Sequence, residues 1–363
     1  MARKKARRTM DRAVLLLAGL TAVHLGLFLF GTLPRPFVET WFAGRITPFL
    51  RYVFSAPLSL LPVSLSQVLL LLLAAAGTWL LFRACTGRPP QDTIRKLVLL
   101  ATLLCNLYLA GFGWLYHRPP LRERLGWKDP EKPVEAFERT ALRLAEEAAR
   151  LRCPPPPDSE GTFFPDLRPA LVSALGSVGA KGIPPFRLKP ALPRGFLLRL
   201  RTSGVFSPFT QEAHYDPGLS PFDLPFVAAH EAAHLAGFAP EQEADFLAWL
   251  ATRRSTDRFV RYSGTLAALS KFERSASATL VETMRKRAGP GVLEDRRLAA
   301  EAFRRYEWKA MARISRRIYD RMLKAQGVEE GIGSYDGLPG MILAFEASRT
   351  AGREAGNGNG KEK

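Results

Sequence analysis

The sequence predicts a mainly α protein: three transmembrane helices, then an α-rich domain carrying a small β element. Three observations predict it. Ala13 to Leu33, Ser64 to Phe82 and Leu97 to Tyr116 are runs without a formal charge. Roughly 20 such residues in a helix span a bilayer core. Beyond Tyr116 charged residues return, and apolar ones recur at helical spacing rather than in blocks. Within that second half, Phe226 to Gly237 reads Phe-Val-Ala-Ala-His-Glu-Ala-Ala-His-Leu-Ala-Gly, an HExxH pattern in an otherwise apolar helix.

The first run follows a basic segment, Met1 to Arg12. A signal peptide would have a shorter apolar region, about 7–15 residues, and a small-residue cleavage site. Here the run continues to Leu33 and meets Pro34-Arg35-Pro36, which favours a retained anchor. His24 inside it is expected to face neighbouring helices. Residues 37–63 hold Trp41, Phe42, Tyr52 and Phe54 and read as an amphipathic, interfacial stretch. The second run centres on Val68 to Leu73, and the third ends at His117-Arg118. Lysine and arginine number six in the first twelve residues, four in 83–96 and three in 34–63. That bias places the N-terminus in the cytoplasm, with everything after Tyr116 outside. The expected division is a membrane domain over 1–118, a soluble domain over 119–352 and a disordered tail over 353–363.

In the soluble half, Pro133 to Arg152 and Leu167 to Val178 read as helices, separated by a polyproline spacer, Pro154 to Pro157. Phe196 to Arg201 reads as a strand, and Ser203 to Thr210 as an edge, since Pro208 cannot donate in a sheet interior. After Asp245 the pattern is nearly all helix, with a long arginine-rich one from Leu293 to Ala325. Gly333 to Gly340 reads as a glycine-rich loop.

His230 and His234 lie four apart and so share a helix face, where two imidazoles can hold one metal ion. Glu231 stands beside them as the carboxylate that takes a proton from an activated water. Gly237 stops the helix, and Pro240 opens a second one bearing Glu241, Glu243 and Asp245. Residues two apart on a helix point about 200° from each other, so Glu241 and Glu243 cannot both face the ion. Glu241 and Asp245 can share a face, one as third ligand and the other orienting a histidine. Glu241 is therefore the expected ligand, Glu243 the alternative, otherwise a solvated surface residue. One zinc ion is the expected cofactor. Gly204, Val205 and Phe206 are candidates for holding substrate as an added strand. Tyr262, Tyr335 and His214 are candidates for oxyanion stabilisation, each with a structural role as the competing reading. The three cysteines, Cys85, Cys105 and Cys153, form no CxxC pattern, so no cysteine zinc site is expected.

These segments resemble a bacterial family catalogued as domain of unknown function 3810, regarded as membrane-bound metallopeptidases. The resemblance covers nearly the whole chain. It includes Gly113 to Arg118, Gly204 to Ala213, His230 to His234 with Glu241 to Ala248, Arg261 to Gly264 and Ser334 to Gly337. That family more often has Asn where Asp245 stands. The pattern is also similar to the gluzincin class, which implies His, His and Glu as zinc ligands. There the third ligand often lies four residues before an Asp, though Glu241 follows His234 by a shorter interval than usual. The resemblance implies a gluzincin-like zinc peptidase acting on a peptide or protein, and names no substrate. Two other classes stay open: a catalytically inactive metal-binding membrane scaffold, and a basic membrane-tethered nucleic-acid binder. The net charge of +18 over 363 residues would suit the latter. The chain shows no zinc-finger pattern, aromatic RNA-binding motif or basic recognition helix, so the bilayer is the expected partner and nucleic acid is not.

Overall fold

A computed structural model of the protein describes residues 2–86, 91–157, 159–180, 183, 186–329, 333 and 337–358. The front of the chain forms α1 (Ala2–Leu29), α2 (Thr47–Leu58), α3 (Leu65–Cys85) and α4 (Gln91–Gly111), with a π-helical stretch, Val38–Ile46, leading into α2. Among the described residues, two helices are long and apolar enough to cross a membrane. They are Leu65–Arg83 within α3, and Ile94–His117, which is α4 with the tight turn after it. None of the α3 window is buried; Leu71 and Leu81 are each 70% exposed.

The expected first span is corrected. The described apolar stretch of α1, Val14–Leu29, falls short of that length. Arg12 bounds it below, and above it the helix ends and Gly31 turns the chain at φ 58°. α1 lies along α4 instead, through a polar contact. Trp114 Nε1, which can only donate, bonds His24 Nε2 at 2.9 Å. The His24 proton is therefore on Nδ1, which donates to Asn106 Oδ1 at 2.8 Å. α2 has the reverse of a water-facing pattern. Thr47, Arg51 and Ser55, four apart, are buried, while Phe49, Tyr52 and Val53 are exposed.

In the second half, α5 (Pro133–Leu151) and α6 (Ser159–Ser177) precede a three-stranded sheet of β1 (Lys189–Pro190), β2 (Gly204–Ser207) and β3 (Glu212–Tyr215). Its order is β1-β3-β2, with β2 antiparallel to β3 and in register Val205 to His214. Between β1 and β2 lies α7 (Phe196–Arg199). This corrects the strand expected there. Gly195 adopts φ 80°, and the Asp216 carboxylate accepts from the backbone N–H groups of Gly195, Leu197 and Leu198 at 2.7, 2.8 and 3.1 Å. That capping selects a helical turn over an extended segment.

The remainder is α8 (Leu224–Leu235), α9 (Glu241–Arg254), α10 (Arg258–Ser275), α11 (Ala278–Tyr306), α12 (Lys309–Ala325) and α13 (Leu338–Gly358). The single helix expected over Leu293 to Ala325 is thus two, parted at Glu307-Trp308, where the Tyr306 ring packs directly on Gly195 and Gly218. α13 continues through Gly358, so 353–358 are helical where a disordered tail is expected; 359–363 lie outside the described residues. Most of the glycine-rich stretch 333–340 that precedes α13 also lies outside them or forms its first turn. α8, α9 and α10 share one core with α5 and α6 around Leu144, Phe238, Phe246, Trp249, Tyr262 and Phe272.

The sheet is joined to the front of the chain by a buried ion pair. Lys189 Nζ lies 2.6 Å from Glu212 Oε1, both side chains almost fully buried, and also donates to the Val63 carbonyl at 2.7 Å. Glu212 in turn accepts from the N–H groups of Leu65 and Ser66, so it caps the N-terminus of α3.

Candidate metal centre

α8 is alanine-rich, starts with Pro225 in its first turn and is buried on nearly every side. It ends in a Schellman turn. Phe238 N–H bonds the Ala233 carbonyl and Gly237 N–H the His234 carbonyl, with Gly237 at φ 95°. The Arg51 guanidinium from α2 lies directly on Gly237, leaving no space for a Cβ. Arg118 donates to the Gly237 carbonyl at 2.9 Å and grips Glu39 with two hydrogen bonds. The turn then passes Pro240, and α9 runs back against α8.

That turn brings three ligand atoms together. His230 Nε2 and His234 Nε2 are 3.1 Å apart, and Glu241 Oε2 lies 3.1 Å from the first and 3.4 Å from the second. Tetrahedral zinc with bonds of about 2.0–2.1 Å would separate its ligand atoms by about 3.4 Å. The tautomers agree. His234 Nδ1 donates to the Phe238 carbonyl at 2.8 Å, and His230 Nδ1 donates to Asp245 Oδ1 at 2.9 Å. Both Nε2 lone pairs therefore face a buried carboxylate oxygen, Glu241 Oε2, that has no hydrogen-bond partner among the described residues. Three acceptors facing one another inside a protein need a cation or proton between them. Burial pushes the His230 pKa down, but Asp245 and Glu241 outweigh it and hold it well above its ordinary value. Burial pushes Glu241 up, and the two imidazoles hold it well below. The field at this point favours positive charge, and the donor set, two imidazoles and a carboxylate, fits zinc.

Glu231 is buried beside the ligands. Burial raises its pKa to about 7, against the pull of His230 and His234, and its Oε2 has no hydrogen-bond partner among the described residues. β2 passes directly over it. A Cβ on Gly204 would lie 2.6 Å from Glu231 Oε1 and 2.7 Å from the His214 carbonyl. Only glycine lets the strand approach the carboxylate so closely. β2 is the outer strand of the sheet, with Val205 exposed and Phe206 buried on the opposite face.

Asp245 orients His230 as the shared-face argument expects, and Lys271 Nζ from α10 holds its other oxygen at 2.6 Å. Glu243 is corrected. It is buried rather than solvated, accepts from the Leu121 N–H at 2.6 Å and lies 3.6 Å from Arg124. Of the oxyanion candidates, Tyr262 donates to Asp295 at 2.7 Å, His214 bonds Ser64 Oγ at 2.7 Å, and Tyr335 lies outside the described residues. The sequence reading missed Lys271 and Tyr319, whose hydroxyl donates to Glu241 Oε1 at 2.6 Å. Both come from helices too far along the chain for local spacing to reveal them.

Compared with known families, residues 42–343 match a family model described as protein of unknown function (DUF3810). No curated protein and no solved structure matches the chain.

Proposed function

Because the chain belongs to DUF3810, a family of unknown function, its activity has to be read from the site, and we propose that it is an integral-membrane, zinc-dependent metallopeptidase hydrolysing peptide bonds. The observation that carries this reading is the convergence of His230 Nε2, His234 Nε2 and Glu241 Oε2, all within 4.8 Å of one another and buried. Glu231 beside them has a pKa of about 7, matched to proton exchange at neutral pH. Zinc, when bound, would polarise the scissile carbonyl and make water acidic enough to be deprotonated near neutrality. His230, His234 and Glu241 would hold it. The Phe238 carbonyl and Asp245, the latter fixed by Lys271, keep both imidazoles in the ligating tautomer. Glu231 takes the proton from water and passes it to the leaving amine. The free edge of β2 receives the substrate backbone as an added strand, with Gly204 keeping that edge against Glu231.

The membrane half of the reading rests on α3. Full burial of a leucine is worth about 1.5–3 kcal/mol, and each of its half-exposed leucines would forgo a large part of that in water, a loss a bilayer removes. The test of the chemistry is Glu231→Gln in the full chain. It should retain one zinc per chain and lose hydrolysis by roughly 10²–10⁴-fold, as loss of a general base does. Hydrolysis of the same peptide at the parental rate would overturn the mechanism. A metal-binding scaffold without activity would instead show zinc in both proteins and turnover in neither, yet a purely structural site has no use for a buried carboxylate at Glu231 whose Oε2 finds no hydrogen bond among the described residues.

A further inference from the structure

α12 buries only Ala312 and Leu323. At about 100° per residue, its apolar side chains cover one broad arc, and those two fill the half that lies on the domain. The other half stays bare: Ile314, Ile318 and Met322, four apart, are 53, 63 and 40% exposed. Next to this stripe stands a basic face of Lys309, Arg313, Arg316, Arg317, Arg321 and Lys324, all exposed, and Asp320 is the one acidic residue in the helix. Trp308, just before the helix, is also exposed. A bare apolar stripe flanked by a dense basic face is the pattern of a helix lying in an anionic headgroup layer.

Both ends of α12 are tied to residues that touch the membrane-length helices. At its C-terminal end Gln326 Nε2 donates to the Tyr108 hydroxyl of α4, and Gly327 sits against His117. Before its N-terminal end the Tyr306 ring packs on Gly195, and the nearby Leu192 carbonyl accepts from Gln67 Nε2 in the first turn of α3 at 2.7 Å. α12 therefore runs along the side of the domain where α3 begins and α4 ends.

We propose that α12 seats its Ile314–Ile318–Met322 stripe in the headgroup layer of an anionic bilayer, the same membrane that α3 and α4 are long enough to cross. The proposal rests on the membrane half of the reading above and not on hydrolysis. It has a consequence for the site. Tyr319, on the domain-facing side of the same helix, donates to Glu241. The lipid surface that holds α12 also holds the carboxylate expected to bind zinc.

The test uses the full chain, with Cys85, Cys105 and Cys153 replaced by Ser and a nitroxide attached at Ile318→Cys or, on the basic face, at Arg313→Cys. The protein is placed in nanodiscs of pure phosphatidylcholine or of an equal mixture with phosphatidylglycerol, without metal or peptide. At position 318 collisions with oxygen should rise severalfold over collisions with a water-soluble nickel complex when phosphatidylglycerol is present. At position 313 the nickel complex should keep access in both discs, and the circular dichroism of each labelled chain should match the parent's, which reports an intact fold. Replacing Arg316, Arg317 and Arg321 by Gln should abolish the response to phosphatidylglycerol. Hydrogen exchange of the unlabelled chain should slow over 309–325 in the anionic discs alone. A label at 318 that stays open to nickel in anionic discs would overturn the proposal. So would spin–spin broadening at 318 in every lipid, the sign of a second copy on this face. Because neither metal nor substrate enters the measurement, failure of the peptidase reading leaves it intact, and its own failure leaves the metal site untouched.

Discussion

At the residue scale the site is decided by which carboxylate of α9 faces the two imidazoles. Glu241 and Asp245 lie four apart and do face them, one at Nε2 and one at Nδ1. Glu243 points elsewhere and braces the Leu121 N–H and Arg124. A graded series follows for zinc content of the full chain. Glu241→Ala should lose most of the metal. Asp245→Ala and Tyr319→Phe should each weaken binding by roughly 10- to 100-fold, as losses of ligand-orienting partners do. Glu243→Ala should keep zinc and lower the unfolding temperature instead, because it strips a buried N–H of its acceptor. Zinc loss from Glu243→Ala with retention by Glu241→Ala would reverse the assignment. Helix periodicity made Glu241 and Asp245 legible from sequence, since their relation is local. Periodicity also separated Glu243 from the ion but could not place it in the core, because its partners Leu121 and Arg124 belong to a segment over a hundred residues earlier.

At the scale of elements, the joint between sheet and membrane helix has its own chemistry. Glu212 caps α3 and pairs with Lys189, so β3 holds both β1 and the start of a membrane-length helix. Burial pushes the Glu212 carboxyl up, and hydrogen bonds from Lys189 and Ser66 outweigh it, leaving its pKa below the ordinary value. A depressed folded pKa means the joint contributes fully above the unfolded value, about 4.3, and is lost as pH falls through the lower folded value. The unfolding temperature of the detergent-solubilised chain should therefore drop in acid. Glu212→Gln should lower it at neutral pH, since breaking one side of a buried pair costs about 3–5 kcal/mol, and should flatten the acid limb. A Gln variant that follows the parental curve at every pH would show that the joint carries no stability. The same region shows where sequence reading stops. Phe196 to Arg201 has the partial alternation of a strand, yet Asp216, some twenty residues later, caps it into α7. The edge β2 was legible because Pro208, just past it, carries its own signal, a residue that cannot donate in a sheet interior.

At the scale of the whole molecule the proposed reading implies a side of the membrane for the candidate metal centre. α3 begins at the sheet, through Glu212, and α4 ends beside the centre, where the Phe112 ring meets His234 edge-on at 5.8 Å. The C-terminal end of α3 and the N-terminal end of α4 therefore lie away from the centre. Arg83, Arg95 and Lys96 at those ends count toward the cytoplasmic side. On the near side, 34–63 has only three basic residues, and they are engaged. Arg35 pairs with Glu123, Arg45 lies over the Trp41 ring, and Arg51 is buried on Gly237. The many basic residues of α12 do not weigh against this, since charges far along a chain from a span have little influence on its orientation. The centre should face outward from the cytoplasm. A reporter active only outside the cytoplasm, fused after Lys363, should be active, and one active only within it should be silent. The reverse pair of results would place the centre inside, and Arg95→Glu with Lys96→Glu would then leave that orientation unchanged. If the outward orientation holds, the same two substitutions should shift part of the population toward the inverted form, because they remove the charge that fixes the far ends of α3 and α4.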